Sequence, residues 1–228
     1  MSSVTLHMGD CLEYMRTMPD KSVDAVITDP PYGIDYQSAW RTDRAQWKPK
    51  IINDKEPFLE WIELAYRICK NGGAVVTFCR WDVEDAFKAE LVRVGFLVKS
   101  QIIWDKVSHG MGDLSGSFAP RHENALFAVK GDFSFWDYRP QDVIRVQRVS
   151  PEKMVHPNEK PHELFMKIIE PIVKRGGVVL DCFMGSGSSG RAAVYCQRDY
   201  IGIEADEKYF AAAERRIKQA QEARQLEF

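Results

Sequence analysis

The chain lacks most of what would commit it to a membrane, a disulfide scaffold or a metal. No run in its 228 residues approaches the ~20 apolar residues that cross a bilayer. Met1 to Asp10 lack the basic-then-apolar pattern of a secretory leader, so a cytoplasmic location away from membranes is expected. The five cysteines (Cys11, Cys69, Cys79, Cys182, Cys196) form no CxxC pair and are odd in number, which argues for reduced thiols and against a thiolate zinc site. His7, His109, His122, His156 and His162 show no ligand spacing with each other or with cysteine, and no metal is expected. An excess of one charge is also missing. Lys and Arg number 31 against 33 Asp and Glu, net −2, so attraction to a polyanion has to be confined to one face. There is no internal repeat and no low-complexity tract.

The composition is ordinary for a globular protein, with 45% hydrophobic and 28% charged residues, and the length suits one core. Residues 1–228 are therefore expected to form a single domain. Short apolar runs alternate with helical patterns, the signature of βαβ units, an α/β class and a largely parallel sheet. Seven strands are expected: Val4 to His7, Ala25 to Thr28, Ala74 to Cys79, Phe96 to Trp104, Asn124 to Val129, Val178 to Leu180 and Tyr200 to Ile203. Phe58, Ile62, Ala65, Tyr66 and Cys69 recur at helical spacing, with Asn71-Gly72-Gly73 as the stop. Val83, Phe87, Leu91 and Val94 predict a helix capped by Asp82, and Phe210, Ala213, Ile217 and Ala220 predict a C-terminal one. Residues 33–56 and 131–155 follow neither period, and long loops in a small domain are usually functional or disordered.

Asp29-Pro30-Pro31-Tyr32 directly follows a strand, where parallel α/β sheets bind their ligands. Two prolines remove two N–H donors and stiffen the backbone, leaving a carboxylate, carbonyl acceptors and an aromatic face. That set suits a planar group with an NH₂. Accepting both N–H bonds, on Asp29 and on the Pro30 carbonyl, favours a pyramidal nitrogen with a directed lone pair, and no protein nucleophile is needed. Tyr32 would stack on the base, worth ~1–3 kcal/mol, and a duplex target would have to be flipped out.

A second motif runs from Val178 to Gly190, a strand entering a glycine loop and then a helix. Gly185, Gly187 and Gly190 satisfy GxGxxG, and Glu204 closes the next strand, which also fits a dinucleotide-dependent oxidoreductase. Asp181 at the strand end would repel a pyrophosphate but suits a cationic cofactor, and S-adenosylmethionine carries both an ammonium and a sulfonium. Asp10 is a third acidic strand end, readable as a cofactor contact or as a helix cap. Lys160-Pro161 opens a further helix carrying Leu164, Phe165, Ile168 and Ile172, with Lys160 free to meet a cofactor carboxylate or a DNA phosphate.

These residues resemble the amino-methylating DNA methyltransferases that modify adenine N6 or cytosine N4, in their β-type order, with the Asp29 to Tyr32 motif ahead of the Asp181 to Ser188 loop. The resemblance spans Gly9 to Asp206. It implies a Rossmann-like, doubly wound seven-stranded sheet, mostly parallel with one antiparallel strand. It implies S-adenosylmethionine as cofactor, contacted by Asp10, Cys11, Asp29, His156, Asn158, Asp181, Phe183, Met184, Gly185, Ser186, Gly187 and Glu204, with Asp29, Pro30, Pro31 and Tyr32 catalytic. This chain has Asn158 and Glu159 where threonine and glutamine are common in the family. Aspartate at the head of the first motif goes mostly with adenine, and no cysteine follows a proline as cytosine C5 chemistry usually has it. Residues 33–56, with Arg41, Arg44, Lys48 and Lys50, would close over the flipped base. Residues 131–155, with Arg139, Arg145, Arg148 and Lys153, would form a short target-recognition region for double-stranded DNA. So little recognition surface implies a homodimer.

Overall fold

The computed structural model describes residues 2–32, 56–110, 115–150, 152, 154 and 159–226. The expected base-covering loop therefore lies outside the described residues, apart from Glu56, and so do His156 and Asn158.

In chain order the elements are β1 (Val4–Met8), α1 (Cys11–Thr17), β2 (Val23–Thr28), α2 (Trp61–Ile68), β3 (Cys69–Cys79), α3 (Glu84–Val94), β4 (Leu97–Asp105), β5 (His122–Val129), β6 (Val143–Arg145), α4 (His162–Ile172), β7 (Val178–Asp181), α5 (Ser188–Tyr195), β8 (Asp199–Glu204) and α6 (Glu207–Gln225). The strands form one sheet in the order β1-β8-β7-β2-β3-β5-β4-β6. β5 runs antiparallel to both its neighbours and every other pairing is parallel. The doubly wound α/β sheet with one reversed strand is thus present. Among the described residues the count of seven is corrected to eight, because Val143–Arg145 pairs with Ile103–Asp105 at the edge, inside the stretch read as an aperiodic loop.

Strand residues alternate between two apolar layers. Ala25, Ile27, Val76, Phe78 and Val179 pack with α4, α5 and α6, whereas Val26, Val75 and Leu180 pack with α1, α2 and α3. Two local expectations fail. α2 buries Trp61, Ile62, Ala65 and Ile68 and ends at Ile68, and Asn71-Gly72-Gly73 belongs to β3 instead of stopping the helix. Between Val23 paired with Cys69 and Ala25 paired with Ala74 the register shifts, and Gly73 lies where a Cβ would stand 2.6 Å from Cys69 Sγ. Asp82 does not cap α3. Val83 holds that position without a side-chain cap, and Asp82 is bound to Arg80.

The first half of the expected recognition region is anchored to the core. Phe133 and Phe135 pack on Phe127, and Trp136 Nε1 donates to the Glu170 carbonyl on α4. Arg145 and Arg148 lie beyond that anchor.

Candidate active site

The winding of the sheet reverses between β2 and β7. From β2 the chain proceeds outward through β3, and from β7 it proceeds the other way through β8, which makes the gap between their carboxyl ends the natural crevice of the fold. Four acidic residues stand at or just past the carboxyl ends of four neighbouring parallel strands: Asp10 after β1, Glu204 on β8, Asp181 on β7 and Asp29 after β2. At about 4.8 Å per strand this row spans roughly 14 Å. The two motifs far apart in sequence are thereby neighbours, and Thr28 Oγ1 donates to Asp181 Oδ1 at 2.6 Å across them.

Among the described residues Asp29 holds two partners. The Tyr32 hydroxyl donates to Oδ1, and the Lys160 ammonium donates to Oδ2. Burial, reinforced by Asp29, pushes the Tyr32 hydroxyl well above its ordinary range, so it stays a donor. Pro30 is buried, and the Pro31 carbonyl accepts from the Phe58 backbone N–H at 3.3 Å. Among the described residues no group donates to the Pro30 carbonyl. Lys160, readable as a cofactor or phosphate contact or as a plain helix start, is buried, 3.3 Å from Glu123 on β5 and 4.6 Å from the centre of the Phe78 ring.

Asp181 is 3% exposed and lacks a cation among the described residues. Its carboxylate accepts from Thr28, from the Phe183 backbone N–H at 3.0 Å and from Ser189 Oγ at 2.5 Å. Those bonds do not offset desolvation, and burial raises its pKa to about 6. A buried carboxylate short of counter-charge is a place for a cationic ligand.

The loop beyond it turns through Gly185 and Gly187, both at positive φ. Gly187 is also sterically required, since a Cβ there would lie 2.9 Å from Ala213 on α6. Glu204 Oε2 accepts from Gly185 N–H at 2.9 Å and Oε1 from Asp206 N–H at 2.8 Å, and burial raises its pKa. Each oxygen retains a lone pair for a hydroxyl. Phe183 meets Phe58 and Trp61 edge to face. Met184 is buried and donates its N–H to the Ile203 carbonyl. Asp10 caps α1 through Glu13 N–H at 2.9 Å, so the helix-cap reading holds for Oδ1. Cys11 beside it is buried, and desolvation pushes its thiol up to about 12.

Three participants escaped the sequence reading. Arg216 on α6 donates to Ser186 O at 3.1 Å, Ser186 Oγ at 2.8 Å and Glu159 Oε1 at 2.5 Å, fastening the glycine loop. Its only sequence signal is a cation on the inner face of α6. Ser189 looks like one more helix-start serine until the fold places Asp181 opposite it. Glu123 lies near the start of β5 and carries no local signal. Among the described residues no cluster of His, Cys, Asp and Glu is arranged to hold a metal, and no helix is long and apolar enough to cross a membrane.

Residues 23–215 match the N6/N4 methyltransferase family, described as DNA methylase. YubD of Escherichia coli strain K12, named as a methylase, is 33% identical over 221 residues, covering 95% of this chain and 91% of YubD. The crystal structure of the M1.HpyAVI–SAM complex superposes with a TM-score of 0.71 at 28% identity, covering 93% of this chain and 99% of that one. The PvuII DNA methyltransferase, cytosine-N4-specific, shares the fold at a TM-score of 0.74 and 16% identity, covering 97% and 92% of the two chains. The chain belongs to the N6/N4 DNA methylase family.

Proposed function

We propose that this protein transfers a methyl group from S-adenosylmethionine to the exocyclic N6 of adenine in double-stranded DNA, by direct attack after the base is flipped out. The observation that carries the reading is the Thr28–Asp181 bond. It sets an amino-accepting motif beside an uncompensated buried anion at the switch point of the sheet. The acidic row fits the cofactor. Asp181 offers a counter-charge to its cationic part, Glu204 and Asp10 offer acceptors to hydroxyl and amino groups, and Phe183 offers an apolar wall. Cys11, Met184, Gly185, Ser186 and Gly187 complete the expected cradle, and His156 and Asn158 are proposed as further contacts. The cofactor supplies an electrophilic methyl group.

Asp29 and the Pro30 carbonyl would accept the two N–H bonds of the amino group, and Tyr32 would give the base its stacking face. Aspartate at the head of the motif favours adenine over cytosine. Residues 33–56 would cover the base, residues 131–155 would read the duplex, and a homodimer would enlarge that surface. Incubating unmethylated genomic DNA with the protein and labelled S-adenosylmethionine, then digesting to nucleosides, tests the reading by mass. N6-methyladenine is the expected product. N4-methylcytosine would overturn the choice of base, and no methylated nucleoside would overturn the reading.

A further inference from the structure

We propose that Glu123 collects the proton that methyl transfer delivers to Asp29, receiving it through Lys160. The proposal rests on the methyl-transfer reading above. Lys160 stands between the two carboxylates, donating to Asp29 Oδ2 and lying 3.3 Å from Glu123 Oε2, with its side chain only 4% exposed. Glu123 is the end of the chain that reaches water, 37% exposed, and its other oxygen lies 3.3 Å from Lys106 Nζ. A hydrogen-bonded path thus leads from the catalytic carboxylate to solvent.

The other titratable groups around this path already hold their protons or are committed elsewhere. Burial keeps the Tyr32 hydroxyl protonated and pushes the Cys79 thiol up to about 12. Asp181 accepts from Thr28, Ser189 and Phe183. Burial works to raise the Glu123 pKa, but Lys160 and Lys106 outweigh it and hold the carboxyl below the usual range, so it rests ionised and gives up to water any proton it receives. For Lys160 burial works downward, and Asp29 and Glu123 outweigh it, so it remains an ammonium. Lys160 and Lys106 balance the two carboxylates, so the proton left by methyl transfer makes the path net positive until Glu123 releases it to water.

The balance closes. The amino nitrogen uses its lone pair to bond the methyl carbon, the electron pair of the broken bond stays with the methyl donor, and the nitrogen carries one proton too many. That proton passes to Asp29. Lys160 gives a proton to Glu123 as it takes the one from Asp29, ending charged as it began. Asp29 is again a carboxylate, and Glu123 releases the proton to water.

Glu123→Gln keeps an acceptor for Lys160 but cannot take up a proton, whereas Glu123→Asp can. In rapid-quench assays with labelled S-adenosylmethionine and unmethylated genomic DNA, E123Q is expected to transfer its first methyl group near the wild-type rate. Later turnovers should slow by about 10- to 100-fold, and E123D should recover most of the loss. In cofactor-free protein, ¹⁵N NMR should find the Lys160 ammonium titrating at lower pH in E123Q, since one of its anions is gone. Wild-type steady-state turnover in E123Q, equal slowing of first and later turnovers, or an unchanged Lys160 titration would each overturn the relay. Wild-type protein that methylates no DNA would overturn the methyl-transfer reading, and the relay with it.

Discussion

Asp29 and Asp181 stand at the ends of adjacent strands, joined through Thr28, yet they are electrostatically opposite. Asp29 is half-buried with the Lys160 ammonium on one oxygen. Asp181 is fully buried with, among the described residues, hydroxyl and backbone donors only, and its pKa rises to about 6. Of the two, Asp181 is the carboxylate without a cation among the described residues. Asp29 already has its counter-charge and is left to accept neutral N–H donors, while Asp181 holds the unmet charge that a cationic cofactor would neutralise. The Asp29 and Asp181 halves of the site differ by one lysine among the described residues.

The most severe way to break the contrast is Asp29→Ala. Methyl transfer should fall by about 10²–10⁴-fold in a labelled-methyl assay, while calorimetry finds cofactor affinity nearly unchanged. A matching loss of cofactor binding would erase the division of labour. Asp181→Asn should do the reverse, weakening cofactor binding by about 100-fold, since the ligand's charge loses its partner. The same change should stabilise the ligand-free protein. A carboxyl whose folded pKa lies above its unfolded value weakens the fold as pH rises from about 4 to about 6, and the penalty is complete above that. Removing the charge should therefore return about 1–3 kcal/mol at pH 8, read from denaturant unfolding. The smallest effect is expected of Arg216→Met, which releases Ser186 without touching either aspartate. Cofactor affinity should drop about fivefold, or ~1 kcal/mol, with the rate at saturating cofactor unchanged.

Both motifs were legible because their chemistry is local: a proline pair after a strand, and glycines after another. Their adjacency was not, because it depends on the order of strands, which places β7 beside β2 although some 150 residues separate them. The sequence offered Lys160 as a contact for an anion, and in the fold that anion is the Asp29 carboxylate on another element. Strand β6 escaped because three residues, only Ile144 of them buried, leave too short a pattern. The stop at Asn71-Gly72-Gly73 misled because glycine marks close approach as readily as helix termination. Here Gly73 serves the register shift beside Cys69.

The unmet charge on Asp181 is tested most directly by calorimetric titration of S-adenosylmethionine between pH 8 and pH 5, in wild type and Asp181→Asn. The account predicts wild-type affinity steady above about pH 6 and weakening below it, with a proton released per ligand bound at the lower pH, and both features absent from the variant. Equal affinity of wild type and variant across that range, with no proton released, would contradict it.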